Sequence, residues 1–258
     1  MIELYKIYAF VFGIFIGSFV NVLIYRIPRE KNIALPRSSC ISCGKLIKWY
    51  LNIPILSFLI LRGKCFYCKT LISWRYPFVE FIVGLMSFYL FPSSLDPKSL
   101  ILYLLLLFAF CIFVAHFFID LEFHILPDSL NATLALLFLG YGIFWKTWQH
   151  WAVGGLLGFG LPFGVTWVFY KIKNKIGLGG GDIKLYTTLG LFLGPVGLVH
   201  NIFYSCFLGA LIGIGIIIIK KQDKDIPMAF GPYIILVAVL QIYFPQLVEL
   251  IPFKLIPN

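Results

Sequence analysis

The sequence predicts an all-α polytopic membrane protein of about eight transmembrane helices, with a small cytoplasmic four-cysteine zinc-binding insertion. Three observations predict it. First, 60% of the 258 residues are hydrophobic and only 12% are charged, too little charge to cover the surface of a soluble domain. Second, apolar runs long enough to cross a bilayer recur along the whole chain, a span needing about 20 residues for a hydrocarbon core about 30 Å thick. Third, the Lys and Arg residues gather in alternate loops, as the positive-inside rule expects of a multi-pass protein.

The apolar runs place spans at about residues 5–25, 77–91, 99–119, 129–145, 151–170, 185–199, 201–219 and 230–250. The first run lacks a strongly basic start and a small-residue cleavage site, so it is expected to be retained as a helix. The sixth is interrupted by Gly190, Gly194, Pro195 and Gly197 and reads as a short or broken helix.

A net charge of +10 in a soluble protein would suggest nucleic acid. Here the charge reads as membrane orientation, with the lipid bilayer as the partner and no nucleic acid expected. If residues 26–76 are cytoplasmic, the loops 120–128, 171–184 and 220–229 are too, and together they carry 17 of the 21 Lys and Arg residues. Lys6, Lys98, Lys146 and Lys254 are the others. Both termini then lie on the outer side.

Residues 26–76 hold ten of the basic residues and four of the six cysteines. A segment of about 50 residues is small for an independent core and needs a staple. Cys40 and Cys43, then 21 residues, then Cys65 and Cys68 form two Cys-x-x-Cys knuckles suited to a structural zinc site with four thiolate ligands. Gly44 follows the first knuckle and suits a tight turn. Two disulfides are the alternative, disfavoured in a reducing cytoplasm. Cys111 and Cys206 sit in apolar runs and read as small core residues.

Only 11 Asp and Glu are present. Asp120 ends an apolar run, and Asp182 follows Gly179-Gly180-Gly181 just before another. Acidic groups beside hydrocarbon are costly and are kept mainly for function. Two brought together could share one proton, the ionised member taking a proton from water and the protonated one polarising a scissile carbonyl. The bland alternative is a solvated interfacial acid or a helix cap. Asp128, after Pro127 and ahead of an apolar run, has the position of an N-cap. Glu122 is ambiguous. The stretch Ile226-Pro227-Met228-Ala229-Phe230-Gly231-Pro232 reads as a surface turn, and the four histidines show no metal-ligand spacing.

Taken together, these residues resemble the bacterial type IV prepilin peptidases (the leader peptidase/N-methyltransferase family). The resemblance is carried by Gly17-Ser18-Phe19-Val20-Asn21-Val22 with Tyr25-Arg26-Ile27-Pro28, and by Arg37 through Cys43 with Trp49-Tyr50, Asn52-Ile53-Pro54 and Leu61 to Cys65. Ser73 to Glu80, Asp120-Leu121-Glu122, Leu126-Pro127-Asp128, Gly179 to Asp182 with Lys184-Leu185, and Phe230-Gly231-Pro232 complete it. Glu122 departs from the family's frequent Asp. The resemblance implies an inner-membrane enzyme with Asp120 and Asp182 as the catalytic pair. Its substrates would be prepilins and pseudopilins, cleaved after a glycine at the cytoplasmic face. It also implies N-methylation of the new N-terminal residue with S-adenosylmethionine as donor, in a pocket the sequence does not locate. The expected domains are residues 1–25, a first transmembrane helix; 26–76, a cytoplasmic zinc-binding domain associated with methylation; and 77–258, a multi-pass aspartyl peptidase domain. A transporter is the rival for the two acids, but its site belongs near the bilayer midplane. A structural subunit of a pilus machine leaves acids and knuckles without a common purpose.

Overall fold

The computed structural model describes residues 2–175, 177–220 and 229–249. Most of the loop 220–229, including Ile226-Pro227-Met228, lies outside the described residues, as does Lys254. Helices dominate: α1 Ile2–Arg26, α2 Leu56–Ile60, α3 Arg75–Leu90, α4 Pro97–Phe123, α5 Asp128–Trp145, α6 Trp148–Lys173, α7 Gly180–Lys220, α8 Gly231–Tyr243 and α9 Pro245–Glu249. The described residues form no named strand, only two isolated bridges, Ser39 with Leu46 and Lys64 with Leu71. The chain is therefore an all-α polytopic membrane protein. It divides into two compact units, residues 1–115 and 116–258.

In the first unit α1 and α3 run antiparallel at close range, because glycines line the seam. A Cβ on Gly13 would meet Ser87 Cβ at 2.5 Å and Gly84 Cα at 2.8 Å, and one on Gly17 would meet Glu80 Cα at 2.7 Å. Small residues allow this approach, which supplies the packing that hydrophobicity cannot supply inside lipid. Polar side chains fasten the seam. Asn21 Nδ2 donates to the Tyr76 carbonyl at 3.0 Å, and the Ser87 hydroxyl donates to the Ala9 carbonyl at 2.6 Å. Asp96 caps α4, its carboxylate accepting from the Ser99 amide at 3.0 Å. The Ser94 hydroxyl, then the Ser99 amide and hydroxyl, hold that carboxyl down at about 2.

In the second unit α6 packs on α7 through Gly154, Gly155 and Gly158, with Gly154 and Gly190 in mutual backbone contact. The interruption expected between Gly190 and Gly197 falls at Gly194, whose φ of 70 and ψ of −177 are non-helical. A straight helix would hold Tyr186 and Ser205 roughly 28 Å apart. Their hydroxyls instead hydrogen-bond at 2.7 Å, so α7 folds back on itself. A side chain at 194 would overlap the His150 ring, and His150 Nε2 lies 3.1 Å from the Phe192 carbonyl. His150, to which the sequence assigned no role, braces this turn.

Four helical segments among the described residues are long and apolar enough to cross a membrane, namely Ile2–Arg29, Pro97–Phe123, Trp148–Lys173 and Gly180–Ile216. Length alone does not carry a count of eight. α3 has 16 residues, about 24 Å of helix, and α8 ends at Tyr243 with Phe244 separating it from α9.

Candidate active site and metal centre

The aspartates come together at helix ends. Asp120 lies in the last turn of α4 and is buried, at 5% exposure. Asp182 lies in the first turn of α7. α4 stops because His124 adopts a left-handed φ of 54 while its amide still donates to the Asp120 carbonyl at 2.9 Å, an αL cap made without glycine. The chain then turns through Leu126, whose buried side chain fills the space between two glycines. A Cβ on Gly181 would sit 3.0 Å from Leu126 Cβ, and one on Gly231 would sit 3.1 Å from Leu126 Cδ2. Gly231 also lies against the first aspartate, since a Cβ there would come 2.7 Å from Asp120 Oδ2.

Both carboxylates line one open cleft of about 250 Å³, with His124, Ile125, Leu126, Asp128 and Gly179 to Gly181. Asp120 Oδ2 is buried against Gly231 and has no protein hydrogen-bond partner, an unmet acceptor that a merely structural carboxylate would not be left with. Asp128 does not cap α5 as the sequence suggested. The N-cap position belongs to Pro127, and Asp128 is the first helical residue. Its carboxylate accepts from Lys184 Nζ at 2.7 Å in an exposed ion pair, which ties the start of α5 to the start of α7. Glu122 is exposed in the same last turn of α4.

The four cysteines of the insertion form a second cluster, with Cys40, Cys43, Cys65 and Cys68 Sγ atoms all within 4.8 Å of one another. The separation of Cys40 and Cys68 is 3.8 Å. That equals the edge of a tetrahedron of four thiolates about 2.3 Å from a central zinc, roughly 3.8 Å. Two turns with matching hydrogen bonds build the cluster. The Cys40 amide donates to Lys45 and the Cys65 amide to Thr70, while Gly44 donates back to Cys40 and Lys69 back to Cys65. The fifth residue of each turn is left-handed, Gly44 at φ 70 and Lys69 at φ 59. The Cys68 thiol lies 3.2 Å from the Thr70 hydroxyl. That contact, with the Thr70 amide, brings Cys68 down to about 6, while Cys43 in the same cluster stands raised at about 11.

Sequence reasoning named Glu80 and Gly231 only as members of the motifs Ser73 to Glu80 and Phe230-Gly231-Pro232 and gave neither a role of its own. Glu80 is buried at 6% exposure and accepts from the Ile55 amide at 2.7 Å. An acid in the apolar run of α3 was the available signal. Gly231 reads from the sequence as a turn residue within a family motif, and tertiary packing against Asp120 gives it a further part.

Residues 11–93 match the bacterial peptidase A24 N-terminal domain, and residues 105–214 match the type IV leader peptidase family. Similar curated proteins are named prepilin leader peptidase/N-methyltransferase. One from Aeromonas hydrophila is 34% identical over 90% of this chain and 88% of its own length. One from Stutzerimonas stutzeri is 35% identical over 88% and 86%, and one from Legionella pneumophila is 32% identical over 90% and 89%. No solved structure matches the chain. With two family models matched in sequence order and relatives of this similarity along nearly its full length, the chain belongs to the type IV leader peptidase family.

Proposed function

We propose that this protein removes the leader peptide of prepilins and pseudopilins and N-methylates the residue exposed by the cut. The observation that carries the proposal is the pairing of Asp120 and Asp182 in one cleft, in a chain whose relatives are named for both activities. The two carboxylates hold one proton between them. The ionised member takes a proton from a water molecule as that water's oxygen attacks the scissile carbonyl. The protonated member gives its proton to the carbonyl oxygen. Collapse of the tetrahedral intermediate breaks the C–N bond, the leaving nitrogen is protonated, and the dyad returns to its starting state. A glycine before the cut suits the cleft, because Gly231 packs closely against Asp120 and Leu126 fills the space between Gly231 and Gly181.

The cleft and the insertion face the cytoplasm in this account, supported by the placement of basic residues in the sequence. A prepilin's basic leader stays in the cytoplasm while its apolar helix enters the bilayer, so its cut site reaches the ends of α4 and α7. Asp120 and Asp182 hold the peptidase chemistry. Cys40, Cys43, Cys65 and Cys68 hold one structural zinc ion, all four ligand positions being taken by thiolates. The insertion is the part associated with methylation. S-adenosylmethionine is the second substrate: its methyl group passes to the new N-terminal amine, a proton leaves that nitrogen, and S-adenosylhomocysteine is released.

Incubating the purified protein with a prepilin and isotope-labelled S-adenosylmethionine tests both halves. Mass spectrometry should find mature pilin carrying a labelled methyl group on its N-terminal nitrogen. Intact prepilin after long incubation would refute the peptidase reading, and mature but unmethylated pilin would refute the transferase reading alone.

A further inference from the structure

The insertion that follows α1 has an apolar outer surface that a water-facing domain would not keep. Leu59, Ile60, Leu71 and Trp74 are 60%, 77%, 76% and 73% exposed. Leu59, Leu71 and Trp74 line one open cleft of about 320 Å³ with Phe58 and Arg62. Such a contiguous patch marks an interaction surface, and the depth of the patch identifies the partner.

α1 supplies the ruler. No charge lies between Lys6 and Arg26, and those 19 residues make about 28 Å of helix, close to the ~30 Å hydrocarbon thickness. Contacts with α3 fall in antiparallel register, Gly13 beside Gly84, Gly17 beside Glu80 and Asn21 beside Tyr76. Glu80 therefore stands at the level of Gly17, roughly 13 Å inside the Arg26 end of α1. Its carboxylate accepts from the amide of Ile55, the residue that opens α2. Ile55 is held there at a left-handed φ of 60, a costly conformation for a β-branched residue. One carboxylate side chain spans less than about one helical turn, so the start of α2 lies below the surface of the membrane that α1 crosses. The same register puts Trp74, two residues before Tyr76, at the level of the last turn of α1. The Trp74 ring packs on Phe58 of α2 with centroids 4.7 Å apart.

We infer that α2 and residues 71–74 are sunk into the interfacial layer of the bilayer, with Arg62 among the lipid phosphates. Leu56, Leu59, Ile60 and Trp74 then contact acyl chains, and Trp74 holds the interfacial position that tryptophan favours. Arg62 is exposed and its guanidinium has no protein partner among the described residues. Charge complements the anionic lipid, because residues 26–76 carry ten Lys and Arg against the single acid Glu30. The insertion thus rests on and partly in the membrane rather than standing in the aqueous phase. The inference is independent of the peptidase and methylation proposals.

Full-length protein in nanodiscs of phosphatidylcholine and phosphatidylglycerol tests this. The difference in fluorescence between Ile60→Trp and wild type isolates an indole at position 60, and that between wild type and Trp74→Phe isolates Trp74. Both should emit at short wavelength, resist aqueous acrylamide, and be quenched by lipids brominated high on the acyl chain. An indole at position 60 that acrylamide quenches like free tryptophan, while brominated lipid leaves it bright, overturns the inference. Should Ile60→Trp fail to fold, Trp74 decides by the same criterion, since Trp74→Phe keeps the ring contact with Phe58. Arg62→Gln should reduce enrichment of phosphatidylglycerol around the protein about fivefold, and unchanged enrichment would remove Arg62 from the headgroup layer.

Discussion

The four cysteines and the two cleft aspartates are both small clusters of titratable side chains, but the chain builds them in different ways. Each cysteine pair sits on its own tight turn. The two turns repeat the same hydrogen bonds, from Cys40 to Lys45 and from Cys65 to Thr70, so ligand direction is set within a few residues. The aspartates depend on distant segments. Asp120 comes from the end of α4, Asp182 from the start of α7, and Gly231 at the start of α8 lies against Asp120. A local turn leaves its mark as spacing in the sequence. A site made where helix ends meet leaves only odd residues at the edges of apolar runs.

The largest expected effect tests whether the aspartates act as one unit. Asp182→Asn should lower prepilin cleavage by at least about a hundredfold to ten-thousandfold, the usual contribution of a general base. The double variant Asp120→Asn with Asp182→Asn should fall no further, because members of a unit are not additive. Single-turnover rates on one prepilin measure this, and two independent, multiplying losses would dissolve the pair.

A smaller effect should follow from crowding the aspartate site without removing a carboxylate. Gly231→Ala places a methyl group 2.7 Å from Asp120 Oδ2. Overpacking of this kind costs about 1–3 kcal/mol, so cleavage should drop about tenfold to a hundredfold. Metal content should stay at wild type. Wild-type cleavage by Gly231→Ala would mean the α8 contact is not part of the working site.

The cysteine cluster should fail separately. Cys40→Ser should lose the bound zinc, measured by elemental analysis against about one ion per chain for wild type. Methylation should fall more than cleavage. Equal loss of both, or full methylation without metal, would break the division of labour between the regions. Smaller still is the effect at the second turn, where Lys69 holds the left-handed position that Gly44 fills in the first. Lys69→Gly should stabilise the metal-bound insertion by about 1 kcal/mol, seen as a higher concentration of chelator needed to strip the zinc.

The same contrast explains what the sequence revealed. The knuckles were legible because Gly44 and the Cys-x-x-Cys spacing report on local backbone. Asp120 and Asp182 were legible as acids beside hydrocarbon, but their meeting in one cleft needs the packing of Leu126 between Gly181 and Gly231. The glycines and proline of residues 190–197 announced a break. Its place at Gly194 is fixed by the His150 ring, which is remote in sequence. Asp128 looked like a cap because caps are read from local order, whereas its partner is Lys184, 56 residues away. Glu80 passed as one motif residue among several because its acceptance of the Ile55 amide is a tertiary fact.

The central claim is that Asp120 and Asp182, rather than the neighbouring Asp128, perform the cleavage. The most direct measurement compares prepilin cleavage by Asp120→Asn and Asp128→Asn under single-turnover conditions in the same lipid. The account predicts no detectable product from Asp120→Asn. It predicts near-normal cleavage by Asp128→Asn, which keeps the size of that side chain on the cleft wall and gives up an exposed ion pair with Lys184 of small energetic weight. An inactive Asp128→Asn beside a normally cleaving Asp120→Asn would contradict it.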